Sequence, residues 1–358
     1  GHLWVYSNEI DTGSTPLKPL EPGAIVRLVS HRDQFLGYAG VNPHGLIAAR
    51  ILSRDADLPP GRALIRRRLK TALAMRERLY PGGCYRLLFG ESDGLPGLVA
   101  DRFGDYVVLQ AATAAMEGLK GHVVDAFVKE LEPKGVLWRN DSGARDMESL
   151  PRYVEVASGD VPPMVTVREG DLEFEAPLHE GQKTGWFYDQ RDNRSRFARY
   201  PAESVLDVFS YTGAWGLGAS QRGARPSFVD SSAQALDWVK AAGSRSGVPT
   251  ETFNGNAFDV LRALRDDGRR FDAVVVDPPA FIKRKKDYRQ GLAAYQRINQ
   301  LAMLLLEKDG WLVSCSCSHH LTEADLLAAL QRAARHVGRF AQVLEIGGQS
   351  ADHPVHPA

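Results

Sequence analysis

Two stretches of this chain place reactive side chains at the ends of apolar runs. Trp311–Ser318 reads W-L-V-S-C-S-C-S, with two of the chain's three cysteines where the run stops. Phe271–Phe281 reads F-D-A-V-V-V-D-P-P-A-F, ending in an acid and two prolines. A thiolate is a sulfur nucleophile that adds to electrophilic carbon, and an acid beside unpaired carbonyls can hydrogen-bond the edge of a flat base. Open α/β sheets put such groups at the C-terminal ends of their strands.

The cysteine stretch admits three readings. Cys315, Cys317, His319 and His320 could form a metal set, but the spacing is unlike C-x-x-C and no second cysteine pair exists. Both thiols could be buried packing residues. A nucleophile fits a specific need. Carbon 5 of cytosine is too poor a nucleophile to attack a sulfonium methyl until a thiolate adds at carbon 6. Residues two apart share one face of a strand, so periodicity does not separate Cys315 from Cys317. Position favours Cys317, which lies further toward the strand's C-terminal edge.

A third stretch, V-L-D-V-F-S-Y-T-G-A-W-G at Val205–Gly216, is an apolar strand with Asp207 that enters a loop and a helix through Gly213. It is not the G-x-G-x-x-G of dinucleotide sites. A loop with fewer glycines suits S-adenosylmethionine, which has no phosphate to cradle. Asp230 ends the next strand, where an acid can accept both ribose hydroxyls. Asn256, after the third strand, is placed to meet the adenine edge. Each could instead cap a helix. Lys283-Arg284-Lys285-Lys286 follows the D-P-P loop, either as a solvated run or as a phosphate contact.

These residues need a frame. From Glu203 onward the pattern alternates strand and helix: strands over 205–209, 226–230, 251–254, 271–277 and 310–316, and helices over 213–222, 233–244, 257–266, 288–306 and 322–336. Such alternation implies a doubly wound, mostly parallel sheet. Ahead of it, 24–29, 34–41 and 46–52 are short β-rich runs, so a small β domain is expected. Arg62–Tyr80 reads as a helix in which Leu64, Ile65, Leu69, Leu73 and Leu79 alternate with Arg66, Arg67, Arg68, Lys70, Arg76 and Arg78. Its basic side is a solvated face or an RNA contact. Residues 84–165 read as a second α+β stretch, with a helix over 118–131 and no chemical motif. Cys84 reads there as a free structural thiol. Asp160–Pro163 reads as a linker, followed by a hairpin over 165–177.

Composition narrows the class. At 358 residues, two or three domains are expected. Apolar content of 44% and charged content of 25% are ordinary for a soluble globular protein. A net charge of zero argues against a general coat of phosphate contacts, though not against local patches. Three cysteines make no disulfide framework, and reduced thiols in a cytoplasmic protein are expected. No run is long enough to span a bilayer, and the N-terminus shows no signal peptide. The chain starts at Gly1 without a methionine, so residues ahead of it are expected.

Several segments together resemble the ribosomal large subunit methyltransferase I family, 5-methylcytosine methyltransferases of 23S rRNA. They are G-H-L-W-V-Y-S-N-E-I at Gly1–Ile10, G-Q-K-T-G-W-F-Y-D-Q-R at Gly181–Arg191 and F-S-Y-T-G at Phe209–Gly213. D-P-P-A-F at Asp277–Phe281, S-C-S at Ser316–Ser318 and A-D-H-P-V at Ala351–Val355 complete the set. The resemblance spans nearly the whole chain. It implies an N-terminal PUA-like domain, here 1–62, a central α+β domain, 63–164, and a Rossmann-like class I methyltransferase domain, 165–358. It implies that Gln190 and its neighbour Arg191 close over the methionine part of S-adenosylmethionine, and that Cys317 is the nucleophile, with Asp277 beside it in the catalytic set. The cofactor set then comprises Gln190, Arg191, Asp207, Phe209, Ser210, Tyr211, Thr212, Gly213, Asp230, Ser231, Asn256, Ala257 and Asp277, with no metal. The implied partner is 23S rRNA, naked or partly assembled, with a homodimer possible.

Two departures stand out. The family begins with a basic strand ahead of H-x-W-V and continues past A-D-H-P with a strand pair. Other cytosine-5 RNA methyltransferases carry a further cysteine after the D-P-P equivalent, where this chain has Ala280. The base that removes the carbon 5 proton is therefore unassigned. A guanine methyltransferase of the same fold and a non-catalytic RNA-binding protein are the competing readings. A small-molecule methyltransferase leaves the extra domains without a purpose.

Overall fold

The computed structural model describes residues 2–357. Four short strands come first: β1 (Trp4–Tyr6), β2 (Ile25–Val29), β3 (Phe35–Val41) and β4 (Ile47–Ser53). They pair antiparallel in the order β1-β4-β3-β2. Ala39, Val41, Ala49 and Ile51 are buried between them, with Val5, Val26 and Leu28 packed alongside.

Helix α1 (Arg62–Leu79) leads into a mixed sheet of β5 (Cys84–Phe89), β6 (Leu98–Phe103), β7 (Tyr106–Ala111), β8 (Gly135–Asn140) and β9 (Tyr153–Gly159), paired in chain order. Only β7 and β8 run parallel. Such a pair needs a crossover. Helices α2 (Ala114–Gly118) and α3 (Lys120–Leu131) supply it. The single helix expected over 118–131 thus starts earlier and breaks at Leu119. Thr113 caps α2 by accepting from Met116 N, which fixes the earlier start. Leu64, Ile65, Leu69 and Ala72 of α1 join Val123, Ala126 and Phe127 of α3 in the core.

The basic side of α1 is largely consumed by ion pairs. Arg66 and Lys70 pair with Glu130, and Arg67 pairs with Asp55. Arg76 is wholly buried and forks onto Asp93 at 2.6 and 2.7 Å while also donating to the carbonyls of Arg86 and Asp352. The paired acids lie on other elements, so charge and spacing within α1 carry no sign of them. Cys84 is half-buried at the start of β5.

A hairpin of β10 (Met164–Glu169) and β11 (Leu172–Pro177) follows. The rest is α4 (Arg191–Phe197), β12 (Ser204–Val208), α5 (Ala214–Ser220), β13 (Arg225–Asp230), α6 (Ala233–Arg245), β14 (Glu251–Asn254), α7 (Ala257–Asp266), β15 (Phe271–Val276), α8 (Tyr288–Leu304), β16 (Leu306–Ser314) and α9 (Glu323–His336). The five strands β12 to β16 pair parallel in the order β14-β13-β12-β15-β16. One face buries Leu206, Val208, Val274 and Val276 against α7 and α8; the other buries Val205, Ala273 and Val275 with Phe197 of α4 and Trp215 of α5. The V-V-V run is thus continuous because both faces are covered.

The chain forms two compact units: 1–167 with 176–189 and 349–358, and 168–175 with 190–348. This division differs from the expected boundaries at 62 and 164. Buried polar groups tie the later segments into the first unit. Arg139 donates to the carbonyls of Leu178 and Gly181, Thr184 donates to Asp101, and Arg86 N donates to Asp352. Within the same unit, Glu148 accepts from Asn42 and Arg50 of the first sheet, each at 2.7 Å, and from Ala114 N at 3.4 Å. Replacing Glu148 with Ala strands a partly buried guanidinium. It is expected to lower stability by ~3–5 kcal/mol, measured by urea unfolding, whereas a loss below ~1 kcal/mol would show that this junction is not held by charge.

Candidate active site

The strand order reverses direction between β12 and β15, so the loops that follow these two neighbours diverge and leave a crevice, the position where open α/β sheets bind ligands. The loop after β12 is tightly wound. Phe209 and Tyr211 have φ of +66° and +48°, and Gly213 has +80°. Non-glycine residues in this region are uncommon, and such strain collects at functional sites. Surrounding bonds hold it: Phe209 N and Ser210 N both donate to Val229 O, and Gly213 N donates to Ser210 O. The expected strand over 205–209 ends one residue early because Phe209 already turns.

Asp230 fixes the same loop from the end of β13. Its carboxylate accepts from Tyr211 N and Ser232 N, each at 2.9 Å. Ser231 beside it is exposed, and Thr212 is buried. Asn256 caps α7, its Oδ1 accepting from Phe258 N at 3.0 Å, and Ala257 behind it is buried. The capping role weighed for Asn256 is thus present.

Asp207 is fully buried in β12. Oδ2 accepts from Gly216 N at 3.0 Å, while Oδ1 has no hydrogen-bond partner. Burial raises its pKa to about 8, with the charges of Asp277 and Asp230 adding to the rise and the Gly216 N–H opposing it. Ser210 Oγ is likewise buried without a partner. Unmet polar groups at a crevice are what a polar, cationic ligand would complete.

Across the crevice, Asp277 follows β15. Trp215 Nε1 donates to its Oδ2 at 3.1 Å and Gln190 Nε2 to its Oδ1 at 3.4 Å. Gln190 is itself held by Asn193 Nδ2 at 2.7 Å, and Arg191 opens α4. Trp215 was not among the expected site residues. It stands in the A-W-G that follows the loop, and an aromatic donor in the first helical turn is the signal that marks it.

The two cysteines after β16 separate cleanly. Cys315 N still pairs with Val276 O at 2.8 Å, and its side chain packs on the core around Val275 and Trp311. Cys317 is exposed, and its thiol donates to Pro278 O at 3.6 Å. The strand expected over 310–316 runs from Leu306 to Ser314, so both cysteines lie just past its end. No group of three or more metal-ligating side chains is arranged for a cation among the described residues.

These features define a Rossmann-like methyltransferase fold behind a PUA-like N-terminal domain. Residues 1–54 match the PUA-like domain model, and 194–329 match a family described as conserved hypothetical protein 95. A methyltransferase structure, SMU.776, solved complexed with SAH, superposes with a TM-score of 0.82 at 19% identity, covering 100% of this chain and 92% of that one. The ribosomal RNA large subunit methyltransferase I of Cronobacter sakazakii is 34% identical over 364 residues, 99% of this chain and 91% of that protein. The same-named protein of Aliivibrio fischeri is 33% identical over 368 residues, 100% and 92%. The chain belongs to the ribosomal RNA large subunit methyltransferase I family.

Asp207 gives a test of the site's electrostatics. A carboxyl raised in the folded state contributes stability that is complete below its ordinary value near 4 and is lost as pH rises through about 8. Asp207→Asn removes this dependence. Its stability relative to wild type is expected to rise by roughly 2–4 kcal/mol between pH 5 and pH 8, read by urea unfolding without ligand. A pH-independent difference would place the ionised form in the fold.

Proposed function

We propose that this methyltransferase forms 5-methylcytosine in 23S rRNA, in the cytoplasm, with Cys317 as the covalent nucleophile. The methyl donor is S-adenosylmethionine. The observation that carries the reading is the position of Cys317: exposed past β16 with its sulfur on Pro278 O, while Cys315 is committed to packing.

The crevice residues fit the donor. The orphaned Asp207 Oδ1 and Ser210 Oγ offer polar partners, and Asp230 retains acceptor capacity for ribose hydroxyls beyond its two backbone bonds. Gln190, tied to Asp277, closes one side. When bound, the donor supplies an electrophilic methyl on a sulfonium.

The Cys317 thiolate forms a bond to carbon 6 of cytosine, and the pair of the 5,6 double bond moves toward carbon 5 and the ring's polar edge. Asp277, oriented by Trp215, is placed to hydrogen-bond that edge. Carbon 5, made nucleophilic by that addition, would take the methyl that a bound donor supplies. The carbon 5 proton passes to solvent, its bonding pair restores the 5,6 double bond, and the carbon 6–sulfur bond breaks to return the thiolate to Cys317. The target base must be unpaired or taken out of its stack.

Cys317→Ala is expected to lower methyl transfer from labelled donor to 23S rRNA by at least about 10³-fold with donor affinity retained. Cys315→Ala should stay within about 3-fold, because a volume change in packing is usually tolerated. Unimpaired turnover by Cys317→Ala would sink the covalent mechanism.

Lys283, Lys285 and Lys286 are exposed between the D-P-P loop and α8, whereas Arg284 is engaged by Asp287. These three ammonium groups are the reading's phosphate contacts. Replacing all three with Ala should reduce the slope of log affinity against log salt by about 2, at roughly 0.7 per single-strand phosphate. An unchanged slope, measured by filter binding across salt, returns the run to a solvated role.

A further inference from the structure

Cys317 sits between two serines, and both lead to one buried hydroxyl. Tyr295 of α8 is fully buried. Ser316 Oγ donates to Tyr295 Oη at 2.9 Å, and Tyr295 Oη lies 2.8 Å from Ser318 Oγ. Ser318 Oγ also accepts from Ile282 N at 3.1 Å, and Ser316 Oγ accepts from Ser318 N at 3.2 Å. The last bond is a side-chain turn across Cys317 itself, of the kind serine makes two residues on. With Ser316 donating to Tyr295, the tyrosine proton is directed to Ser318, which completes an ordered chain from one side of Cys317 to the other.

The same tyrosine holds the facing loop. Its ring lies 4.9 Å from that of Phe281, which also meets Phe209 at 6.2 Å and Phe258 at 6.1 Å. Gly291, four residues before Tyr295 on α8, has no room for a side chain, since a Cβ there would come within 2.3 Å of Ile282 and 2.7 Å of Phe281 O. The far end of the loop that begins at Asp277 and Pro278 is therefore pressed onto α8 at Phe281 and Ile282, and the same end is tied to Ser318 through Ile282 N.

We propose that Tyr295 is the positioning residue for the reaction, holding the Cys317 turn in register with the Asp277–Phe281 loop through Ser316 and Ser318. The proposal rests on Cys317 being the nucleophile. Tyr295 touches no reacting atom, so its loss should slow the sulfur–carbon bond without weakening either ligand. Small misplacement of a reacting group is costly in rate, which sets the size of the effect.

The test uses the full chain, S-adenosylmethionine and a 23S rRNA transcript with 5-fluorocytosine in place of cytosine. Fluorine cannot leave as a proton does, so the covalent adduct accumulates and is counted on a denaturing gel. Tyr295→Phe is expected to slow adduct formation and kcat on ordinary rRNA by about 10- to 100-fold, with donor affinity and RNA KM within about 2-fold. Trapping at the wild-type rate overturns the proposal while leaving the nucleophile reading intact. Should Tyr295→Phe unfold or lose the donor, Ser316→Ala decides, since it breaks the same chain outside the core: slowed trapping supports the proposal and a wild-type rate overturns it. Cys317→Ala should give no adduct. If it still methylates ordinary rRNA, the nucleophile reading falls and this proposal with it.

Discussion

The parallel pairing of β12 with β15 is the contact on which the site depends. Its register sets Asp207 opposite Val275 and Val208 opposite Val276, so the two strands end together. Beyond the shared edge one loop winds toward β13 under Asp230, and the other is stiffened by Pro278 and Pro279. Asp277 N still donates to Val208 O at 3.3 Å, which keeps the loops joined at their base. A slip of one residue in β12 would turn Asp207 and Val205 to the opposite face and take Asp207 away from Gly216 N. The apolar burial on both faces of the sheet is what makes that slip costly.

Three carboxylates converge on this edge, and the fold treats each differently. Asp230 is spread over two backbone N–H groups, and Asp277 receives an indole and an amide. Asp207 is the one that burial holds mostly neutral, with one oxygen unmet. Burial is the main cause of that rise, and the charges of Asp277 and Asp230 add to it. The aromatic group of Phe209, Phe258, Phe281 and Tyr295 ties the loop after β12 to the loop after β15 and to α8.

The alternation of strand and helix after Glu203 was legible because each strand is a short apolar run and most helices begin at a capping side chain: Ser232, Asn256 and Thr322 all accept from the first turn. The loop acids and Cys317 were legible from their positions at strand ends. Less was legible where partners are remote in sequence. The engagement of Arg76 with Asp93, of Thr184 with Asp101 and of Trp215 with Asp277 needs the folded chain, since spacing alone gives no sign of them. The same holds for Tyr295, an unremarked aromatic on an amphipathic helix until two serines are brought to its hydroxyl. Strand β5 is hidden in the sequence because it follows Gly82-Gly83 and its apolar pattern is broken by Arg86, whose charge is buried against Asp101.

A thiol stands past one strand end beside a crevice at the neighbouring strand ends, and the chemical identity of the product decides between the readings of that pair. The most direct measurement is to incubate the protein with methyl-labelled S-adenosylmethionine and 23S rRNA, digest the RNA to nucleosides, and identify the labelled one by mass. Label in 5-methylcytidine alone is the expected result. Label in a methylated guanosine would contradict the account, since that chemistry has no use for the thiol at Cys317.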